Sequence, residues 1–506
     1  MLYFIIMPKN NEKKEETYSY DVKEIYKLMD ERPPTTDDEK LIKEAFDFAE
    51  IAHKDQKRSS GEPYFVHVFE TAKNLARFGM DATTIAAGLL HDTIEDTTVK
   101  ESEVEKKFGK DIVFLVNSVT KLGKLKYRGR ERHVESLRKF FIAVAQDFRV
   151  LMIKLADRLH NLQTLEYIHE EKRKRIALES LEVYAPLANR LGIGKLRGEI
   201  EDAAFPYAYP KEYQIVEDLL KKKTNIEKNH LDRISEELKK ELKKQGIEII
   251  KMDQRVKHKY SLYKKLLKYN MDIEKIYDMI ALRVIVKTVE DCYKVLGIVH
   301  SIWTPLPGRI KDYIAMPKLN GYQSLHTTIF TGDGSIVEIQ IRTLEMHGID
   351  EYGIASHFIY KENKYAKKFN VPKYSWIEEF KELQKRISEH SVFLENLKMD
   401  FFKDRIFVFT PDGDVVDLPE NSSPIDFAYA IHSDVGNHTS GVKINNKLVS
   451  LGTKLKNEDI IEIIKKKESH PSSKWLDYAK TALAKKHIKS YLQQHSFLNK
   501  LKFFGK

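Results

Sequence analysis

The sequence that decides the fold of the first third of this chain is IAAGLLHDTIED, residues 85–96. Its apolar half predicts a buried helix, and the histidine and aspartate that follow bring an imidazole and a carboxylate to one end of that helix. If the helix continues, Glu95 lies one turn beyond His91 and Asp96 one turn beyond Asp92. Imidazole and carboxylate together suit a catalytic divalent metal with positions left for water.

Two other segments supply further donors to this patch. His67 lies upstream, and the downstream segment LADRLHNLQT ends at Thr164. On a helix Asp157, Asn161 and Thr164 share one face, so we expect Asp157 to bind the metal and the other two to contact substrate. A metal acidifies its bound water, and a neighbouring carboxylate can take the proton. The combination indicates a metal-dependent phosphohydrolase, whereas His53 is as well explained by a local hydrogen bond.

Length and composition indicate several globular domains. The 506 residues are 42% hydrophobic and 32% charged, and the single cysteine, Cys292, excludes a disulfide framework. The apolar start, Met1 to Met7, lacks a basic leader and is too short to span a bilayer, so we expect no membrane segment and a cytoplasmic location. The net charge of +10 fits polyanionic partners such as nucleotides or RNA without requiring them.

Changes in residue pattern divide the chain into seven segments. Helical periodicity gives way to β-branched strands near Ile247, and a second strand-rich region begins at Arg405. The predicted segments are an N-terminal tail (1–30), an all-α domain (31–205), a helical connector (206–247), an α/β domain (248–370), a helical linker (371–403), a small α+β module (404–466) and a basic helical tail (467–506). The predicted fold class is therefore multidomain.

The α/β domain carries a second candidate site. Strict alternation along strand 336–342 predicts that Glu338, Gln340 and Arg342 share a wet face opposite a core face. Asp278 precedes another strand, and together with Glu338 it is placed to hold Mg²⁺ or to activate a hydroxyl group.

Cations and an aromatic ring accompany these carboxylates. The residues that can neutralise phosphates are Arg255, Lys257, His258, Arg309, Lys311 and Lys318. Tyr322 offers a ring on which a base can stack. The set predicts a nucleotide pocket, although an ordinary surface strand also shows the pattern Glu-x-Gln-x-Arg, so the residues alone leave both interpretations open.

Several longer motifs resemble the RelA/SpoT family, whose enzymes make and destroy the alarmone (p)ppGpp. The segments HDTIED (91–96), KLADRLHN (154–161) and YAPLANRLG (184–192) look like its HD hydrolase domain. The segments KDYI (311–314), NGYQSLH (320–326) and EIQIRT (338–343) resemble its synthetase domain, and residues 404–465 look like its TGS module. The resemblance implies an all-α HD-type domain, an α/β nucleotidyltransferase-like domain and a small β-grasp TGS domain.

The resemblance also implies roles for the residues of the first site. The Mn²⁺ ligands would be His67, His91, Asp92 and Asp157. Glu95 and Asp96 would activate the water that removes the 3′-pyrophosphate of (p)ppGpp. The pocket for the guanosine would contain Arg58, Asn161 and Thr164.

In the second site the resemblance implies a pyrophosphokinase that moves the β,γ-diphosphate of ATP to the 3′-hydroxyl of GDP or GTP. Asp278 and Glu338 match its Mg²⁺ ligand and second catalytic carboxylate, and Tyr322 matches the ring that stacks on guanine. The other predicted substrate contacts are Arg255, Lys257, Arg309, Lys311, Lys318, His326, Gln340 and Arg342. The motif Arg-x-Lys-Asp at 309–312 resembles the variant typical of bifunctional members.

The resemblance further implies partners outside the two active sites. A TGS module of this family contacts the 3′ end of uncharged tRNA on the ribosome, and His432 matches the contacting residue. Members usually continue into zinc-finger and ACT-like modules, whereas this sequence ends at Lys506. Two hypotheses follow: a bifunctional enzyme, or a regulator that binds ribosome and tRNA and whose synthetase has decayed.

Overall fold

The computed structural model describes residues 19–29, 32–123, 147–318, 320–332, 335–353 and 405–503. Most of the predicted N-terminal tail and the whole predicted linker at 371–403 lie outside this described part. Within it, no helix combines the length and the apolar composition that crossing a bilayer would require.

The first region is built from helices around one apolar core. Its helices are α1 Lys23–Lys27, α2 Thr36–Ala52, α3 Phe65–Arg77, α4 Ala82–Leu90, α5 Thr93–Asp96, α6 Glu101–Gly123, α7 Arg149–Gln163, α8 Glu170–Glu179, α9 Ala185–Arg190 and α10 Gly194–Ala208, with a 3₁₀ turn Leu165–Tyr167 and a π-helical turn Ser180–Tyr184. Thr35 and Asp38 form a capping box at the start of α2, and Asp81 caps α4. Helix α4 is buried along its whole length except for Thr83, as its apolar composition predicts.

The predicted continuous helix through residues 85–96 is wrong, because α4 ends at Leu90 and α5 begins at Thr93. Asp92, with φ −100° and ψ −3°, lies between them at the edge of the right-handed helical region. The i, i+4 relation nevertheless survives for one pair, since the amide of Asp96 donates to the carbonyl of Asp92 at 2.8 Å. The break turns Asp92 toward the other polar groups of the site while α4 stays in the core.

Helix α10 joins two cores. Leu196, Ile200 and Ala204 are buried in the core of the first region. Phe205, one residue later, belongs to the next core, where its ring centroid lies 5.3 Å from that of Tyr260. The boundary predicted between residues 205 and 206 therefore falls inside a helix, because Pro206 is accommodated within α10 rather than ending it.

Polar contacts strengthen the packing of α10 on the second region. The buried carboxylate of Glu201 accepts hydrogen bonds from Ser261 Oγ at 2.9 Å and Lys264 Nζ at 3.0 Å. Asp202 accepts from the amide of Tyr260 and lies 2.9 Å from His258 Nδ1. The long helix α11, Pro210–Lys244, follows within the range predicted as the connector.

The second region contains a sheet of order β1-β2-β6-β5-β3, with β4 paired to β5. Its strands are β1 Ile249–Val256, β2 Ile280–Val286, β3 Thr304–Pro305, β4 Lys311–Asp312, β5 Leu325–Phe330 and β6 Ile336–Thr343, and its helices are α12 Lys259–Lys268, α13 Val289–Ile302 and α14 Leu344–Tyr352, with a 3₁₀ turn Ile273–Lys275. Strands β2 and β6 are parallel, and the other pairs are antiparallel. The aliphatic side chains of β2 and β6 form the core.

The prediction that the polar face of β6 is exposed to solvent is wrong for Gln340 and Arg342. Glu338 is partly exposed, but Gln340 is only 6% exposed and Arg342 is fully buried. Arg342 pairs with Asp350 of α14, which follows β6 directly and covers its end. Alternation correctly separates the two faces, but it does not reveal that a helix covers the polar one. Arg283 of β2 is likewise paired, with Asp253 at 2.7 Å.

The third region is a small α+β module. Its strands are β7 Arg405–Phe409, β8 Val415–Pro419, β9 Thr439–Ile444, β10 Lys447–Val449 and β11 Ile461–Lys465, and its helices are α15 Pro424–Ile431 and α16 Ser433–Asn437. The tail forms α17 Trp475–Tyr478 and α18 Ala482–Phe503. Asp426 of α15 accepts hydrogen bonds from the backbone amides of Lys480 and Thr481, which fixes the tail against the module.

Candidate functional sites

Three buried side chains from different helices converge in the first region. His67 lies on α3, His91 at the end of α4 and Asp157 on α7. One ligand atom from each lies within 4.8 Å of those of the other two. Ligand atoms about 2.0–2.2 Å from a shared cation are separated by about 3–4.5 Å, so this arrangement fits a divalent metal after small adjustment.

The hydrogen bonds of His91 support this fit. Its Nδ1 lies 2.8 Å from the carbonyl oxygen of Gly88, which places a hydrogen on Nδ1 and leaves Nε2 facing the site. Among the described residues Nε2 is buried and has no hydrogen-bond partner, although Asp92 Oδ2 lies 3.1 Å away in an unsuitable orientation. A buried ring nitrogen without a hydrogen-bond partner is costly, and a bound cation would take up the lone pair of its unprotonated form.

Asp92 lies beside the three convergent side chains. Its Oδ2 is 3.5 Å from His67 Nε2 and accepts a hydrogen bond from the Tyr64 hydroxyl at 2.7 Å. The same hydroxyl lies 3.1 Å from Asp96 Oδ2. Tyr64 therefore connects a predicted metal ligand to a predicted water-activating carboxylate. Glu95 is half-buried on the same short helix, and Asp96 is exposed.

Charge in this cluster is balanced within the site. Burial opposes a charge on His91, but the carboxylates of Asp92 and Asp157 outweigh it and raise the pKa of His91 to about 9. Burial would raise the pKa of Asp157, yet the ammonium charge of Lys154 holds that pKa well below its usual value. Lys154 Nζ donates to Asp157 Oδ2 at 2.6 Å. A proton on His91 thus supplies positive charge where a bound cation would supply it.

The predicted substrate contacts lie at the edge of this cluster. Arg58 donates to Asn161 Oδ1 at 2.9 Å, and the amide of Asn161 donates to Asp157 Oδ1. Thr164 ends α7, and its hydroxyl donates back to the carbonyl of His160 at 3.2 Å. The structure therefore brings the predicted face of α7 together with Arg58, 103 residues away from Asn161.

In the second region Asp278 lies between two lysines. Lys257 and Lys265 donate to its Oδ2 at 2.6 and 2.7 Å. Burial would raise the pKa of Asp278, but the two ammonium charges outweigh it and lower the pKa to about 2. Oδ1 is buried and lacks a hydrogen-bond partner in the described part of the chain. An ionised carboxylate with one open oxygen fits a Mg²⁺ ligand.

Glu338 begins a series of polar side-chain contacts across the sheet, called here the polar chain. Its Oε1 lies 3.2 Å from His326 Nδ1 on β5 and accepts from Gln340 Nε2 at 2.8 Å. Gln340 in turn accepts from Arg255 of β1 at 3.3 Å. Burial would raise the pKa of Glu338, but its bond with His326 lowers it, so Glu338 is ionised. Four predicted site residues from three strands thus form one connected group.

The predicted stacking ring, Tyr322, is only 9% exposed. Its hydroxyl lies 2.6 Å from His326 Nε2, and the ammonium of Lys318 lies 4.9 Å from its ring centroid. Lys318 also lies 4.5 Å from the ring centroid of Tyr313. The ammonium of Lys318 therefore lies over both rings.

The remaining predicted contacts differ in exposure. Arg309 and Lys311 are exposed, and the Arg309 guanidinium lies 5.9 Å from the ring centroid of Tyr277. Arg342 is buried against Asp350 and lies behind the polar chain rather than at its surface. His432 is exposed in the third region, where its Nδ1 accepts a hydrogen bond from the amide of Asp434 at 3.1 Å.

Sequence reasoning missed four residues that the structure brings into these sites. They are Tyr64, Lys154, His160 and Lys265. Lys154 is three positions before Asp157, so helical spacing was an available signal. The other three contact residues more than ten positions away, and no local sequence pattern predicts such pairs.

Comparisons with known proteins agree with this division of the chain. Family models match at residues 45–194 (HD domain), 254–365 (region found in RelA / SpoT proteins) and 406–465 (TGS domain). The fold class is thus multidomain, with an all-α HD-type domain, an α/β synthetase domain and a small TGS domain.

Three curated relatives match most of the chain. A guanosine-3′,5′-bis(diphosphate) 3′-pyrophosphohydrolase from Aquifex aeolicus is 45% identical and matches 93% of this chain and 67% of its own length. A GTP pyrophosphokinase from Myxococcus xanthus is 43% identical, matching 94% of this chain and 64% of its own length. A bifunctional (p)ppGpp synthase/hydrolase from Escherichia coli is 40% identical, matching 90% and 65%. The chain thus spans about two thirds of the length of these relatives, and it belongs to the RelA/SpoT family.

Proposed function

We propose that the chain is a bifunctional enzyme of (p)ppGpp metabolism. The HD domain would hydrolyse the 3′-pyrophosphate of (p)ppGpp to give GDP or GTP and diphosphate. The α/β domain would transfer the β,γ-diphosphate of ATP to the 3′-hydroxyl of GDP or GTP. The observation that carries the proposal is that each domain contains a carboxylate-rich site with a buried ligand atom that has no hydrogen-bond partner among the described residues. These atoms are His91 Nε2 and Asp278 Oδ1.

In the hydrolase we propose Mn²⁺ as the metal, with His67, His91, Asp92 and Asp157 as its ligands. The bound ion would acidify a water molecule and attract the phosphate charge. Glu95 and Asp96 would accept the proton of that water, since both lie on the short helix that follows Asp92. Arg58, Asn161 and Thr164 would hold the guanosine, because Arg58 bonds to Asn161, Asn161 contacts Asp157, and Thr164 lies at the end of the same helix.

In the synthetase we propose that Asp278 and Glu338 hold Mg²⁺ and that Glu338 also orients the attacking 3′-hydroxyl. When bound, the ion would neutralise charge on the transferred diphosphate. The cations that would bind the phosphates are Arg255, Lys257, Lys265, Arg309, Lys311 and Lys318. The guanine would stack on Tyr322, and His326, Gln340 and Arg342 would keep Glu338 and that pocket in place.

We assign the segments as predicted: a tail (1–30), hydrolase (31–205), connector (206–247), synthetase (248–370), linker (371–403), TGS module (404–466) and basic tail (467–506). The binding of uncharged tRNA and the ribosome through His432 of the TGS module is part of the proposal, and its support is the exposed position of that side chain. A cytoplasmic location fits the single buried, unpaired cysteine, Cys292.

The test separates the two activities in one protein. Purified chain is incubated with labelled ATP and GDP plus Mg²⁺, and separately with ppGpp plus Mn²⁺. Asp92→Ala is expected to abolish hydrolysis and to preserve synthesis, whereas Glu338→Gln is expected to do the reverse. If either substitution removes both activities from folded protein, the two sites are not separate. If the parent chain makes no product from ATP and GDP, the alternative of a hydrolase or binding protein with a decayed synthetase is favoured.

A further inference from the structure

Two buried histidines in the hydrolase site face each other through the same type of ring nitrogen. His67 Nδ1 and His160 Nδ1 are 2.9 Å apart, and the two residues are 3% and 4% exposed. A hydrogen bond at this distance requires a hydrogen on one nitrogen and a lone pair on the other. The position of that hydrogen decides which nitrogen of His67 is free to bind a metal.

Arg58 decides between the two arrangements. Its Nη1 lies 3.2 Å from the same His160 Nδ1. A guanidinium group has only donors, so His160 Nδ1 must carry the lone pair and His67 Nδ1 must carry the hydrogen. In a neutral His67 the lone pair then lies on Nε2.

The free nitrogen points into the candidate metal site. His67 Nε2 lies 3.3 Å from Asp157 Oδ1 and 3.5 Å from Asp92 Oδ2. A lone pair that faces two carboxylates is unfavourable without a cation between them, so the tautomer set by His160 is the one that suits a metal. The partner of a metal-binding histidine is usually a carboxylate, a backbone carbonyl or water, and here it is a second histidine.

We propose that His160 is a positioning residue that fixes the metal-binding tautomer of His67, and that Arg58 keeps His160 in the accepting state. The inference rests on the proposed metal site. Arg58 also donates to Asn161, which donates to Asp157, so a single guanidinium reaches two metal ligands through one intermediate residue each. A nucleotide that moves Arg58 would therefore change the support of both ligands.

The test measures Mn²⁺ binding by the full chain without substrate, from the electron paramagnetic resonance signal of free Mn²⁺. His160→Leu removes the acceptor and is expected to weaken Mn²⁺ binding about 10–100-fold. His160→Asn places an amide oxygen near the position of Nδ1 and is expected to recover most of that loss. His160→Gln places its oxygen one bond farther out and is expected to recover less than His160→Asn.

A matched control is His300→Leu, which removes a histidine that bonds to Thr327 in the other enzymatic domain. It is expected to bind Mn²⁺ as the parent does. Thermal unfolding checks that each variant is folded, and the Asn and Gln pair still tests the inference if His160→Leu does not fold. Parental affinity in His160→Leu, or equal affinities in His160→Asn and His160→Gln, would overturn this inference and leave the proposed metal site standing. Failure of the parent chain to bind Mn²⁺ would overturn the proposed hydrolase metal site itself.

Discussion

The hydroxyl group of Tyr64 can be tested by itself, because Tyr64→Phe removes this group and leaves the ring. It donates to Asp92 Oδ2 at 2.7 Å and lies 3.1 Å from Asp96 Oδ2. A hydrogen bond to a charged acceptor contributes about 1.5–3 kcal/mol. Since about 1.4 kcal/mol corresponds to a tenfold change in an equilibrium constant, loss of this bond predicts about 10–100-fold weaker metal binding.

Two measurements check this expectation in the same samples. Mn²⁺ affinity is measured by titration, and hydrolysis of ppGpp is followed at saturating Mn²⁺. Weaker affinity with a largely restored rate at saturating metal would show that Tyr64 mainly holds Asp92. A rate that stays low at saturating Mn²⁺ would show that its contact with Asp96 also matters for the water.

Tyr293→Phe is the matched control, since its hydroxyl donates to Asp312 at 2.8 Å in an exposed part of the synthetase domain. It is expected to leave Mn²⁺ affinity and hydrolysis unchanged. If Tyr64→Phe behaves like this control in both assays, the hydroxyl does not support the site, and the reasoning from its short contact to Asp92 is refuted.

Three further predictions concern the synthetase domain and its contact with helix α10. Burial, followed by the charge of Lys311, lowers the pKa of Lys318 to about 8. Because the ammonium charge is lost as pH rises through that value, the KM for nucleotide should increase over the same pH range. Lys318→Arg should remove this increase. Asp350→Asn leaves the fully buried Arg342 without its ion-pair partner, and denaturant unfolding of this domain should show a loss of about 3–5 kcal/mol. Gly198→Ala places a methyl group against the ring of His258. We expect a loss of about 1–3 kcal/mol in the free energy of unfolding and slower synthesis. Unchanged unfolding and synthesis would contradict this packing argument.

Local spacing explains what the sequence could predict. Asp157 and Asn161 lie one helical turn apart, and their side chains do meet. Alternation along β6 correctly separated Glu338 from the core-facing Val337 and Ile339. These features depend only on the periods of the helix and the strand, which are written in consecutive residues.

Tertiary contacts explain what the sequence could not predict. His67 and His160 are 93 residues apart, and their contact depends on how α3 packs on α7. Arg342 looked exposed because alternation cannot tell whether a helix covers the polar face of a strand. The interruption at Asp92 was missed because no proline or glycine stands there to mark it.

The shared helix α10 limits how this protein can be dissected. Its carboxylate at Glu201 depends on Ser261 and Lys264 across the domain junction, while Leu196 remains in the hydrolase core. A gene fragment that stops at residue 205 would lose both of these contacts and leave Arg197 as the ion-pair partner of Glu201. It would also end at Phe205, whose packing partners lie in the second region. Isolated halves made at that junction should aggregate or misreport their native rates, so kinetic work on either activity needs point variants of the intact polypeptide.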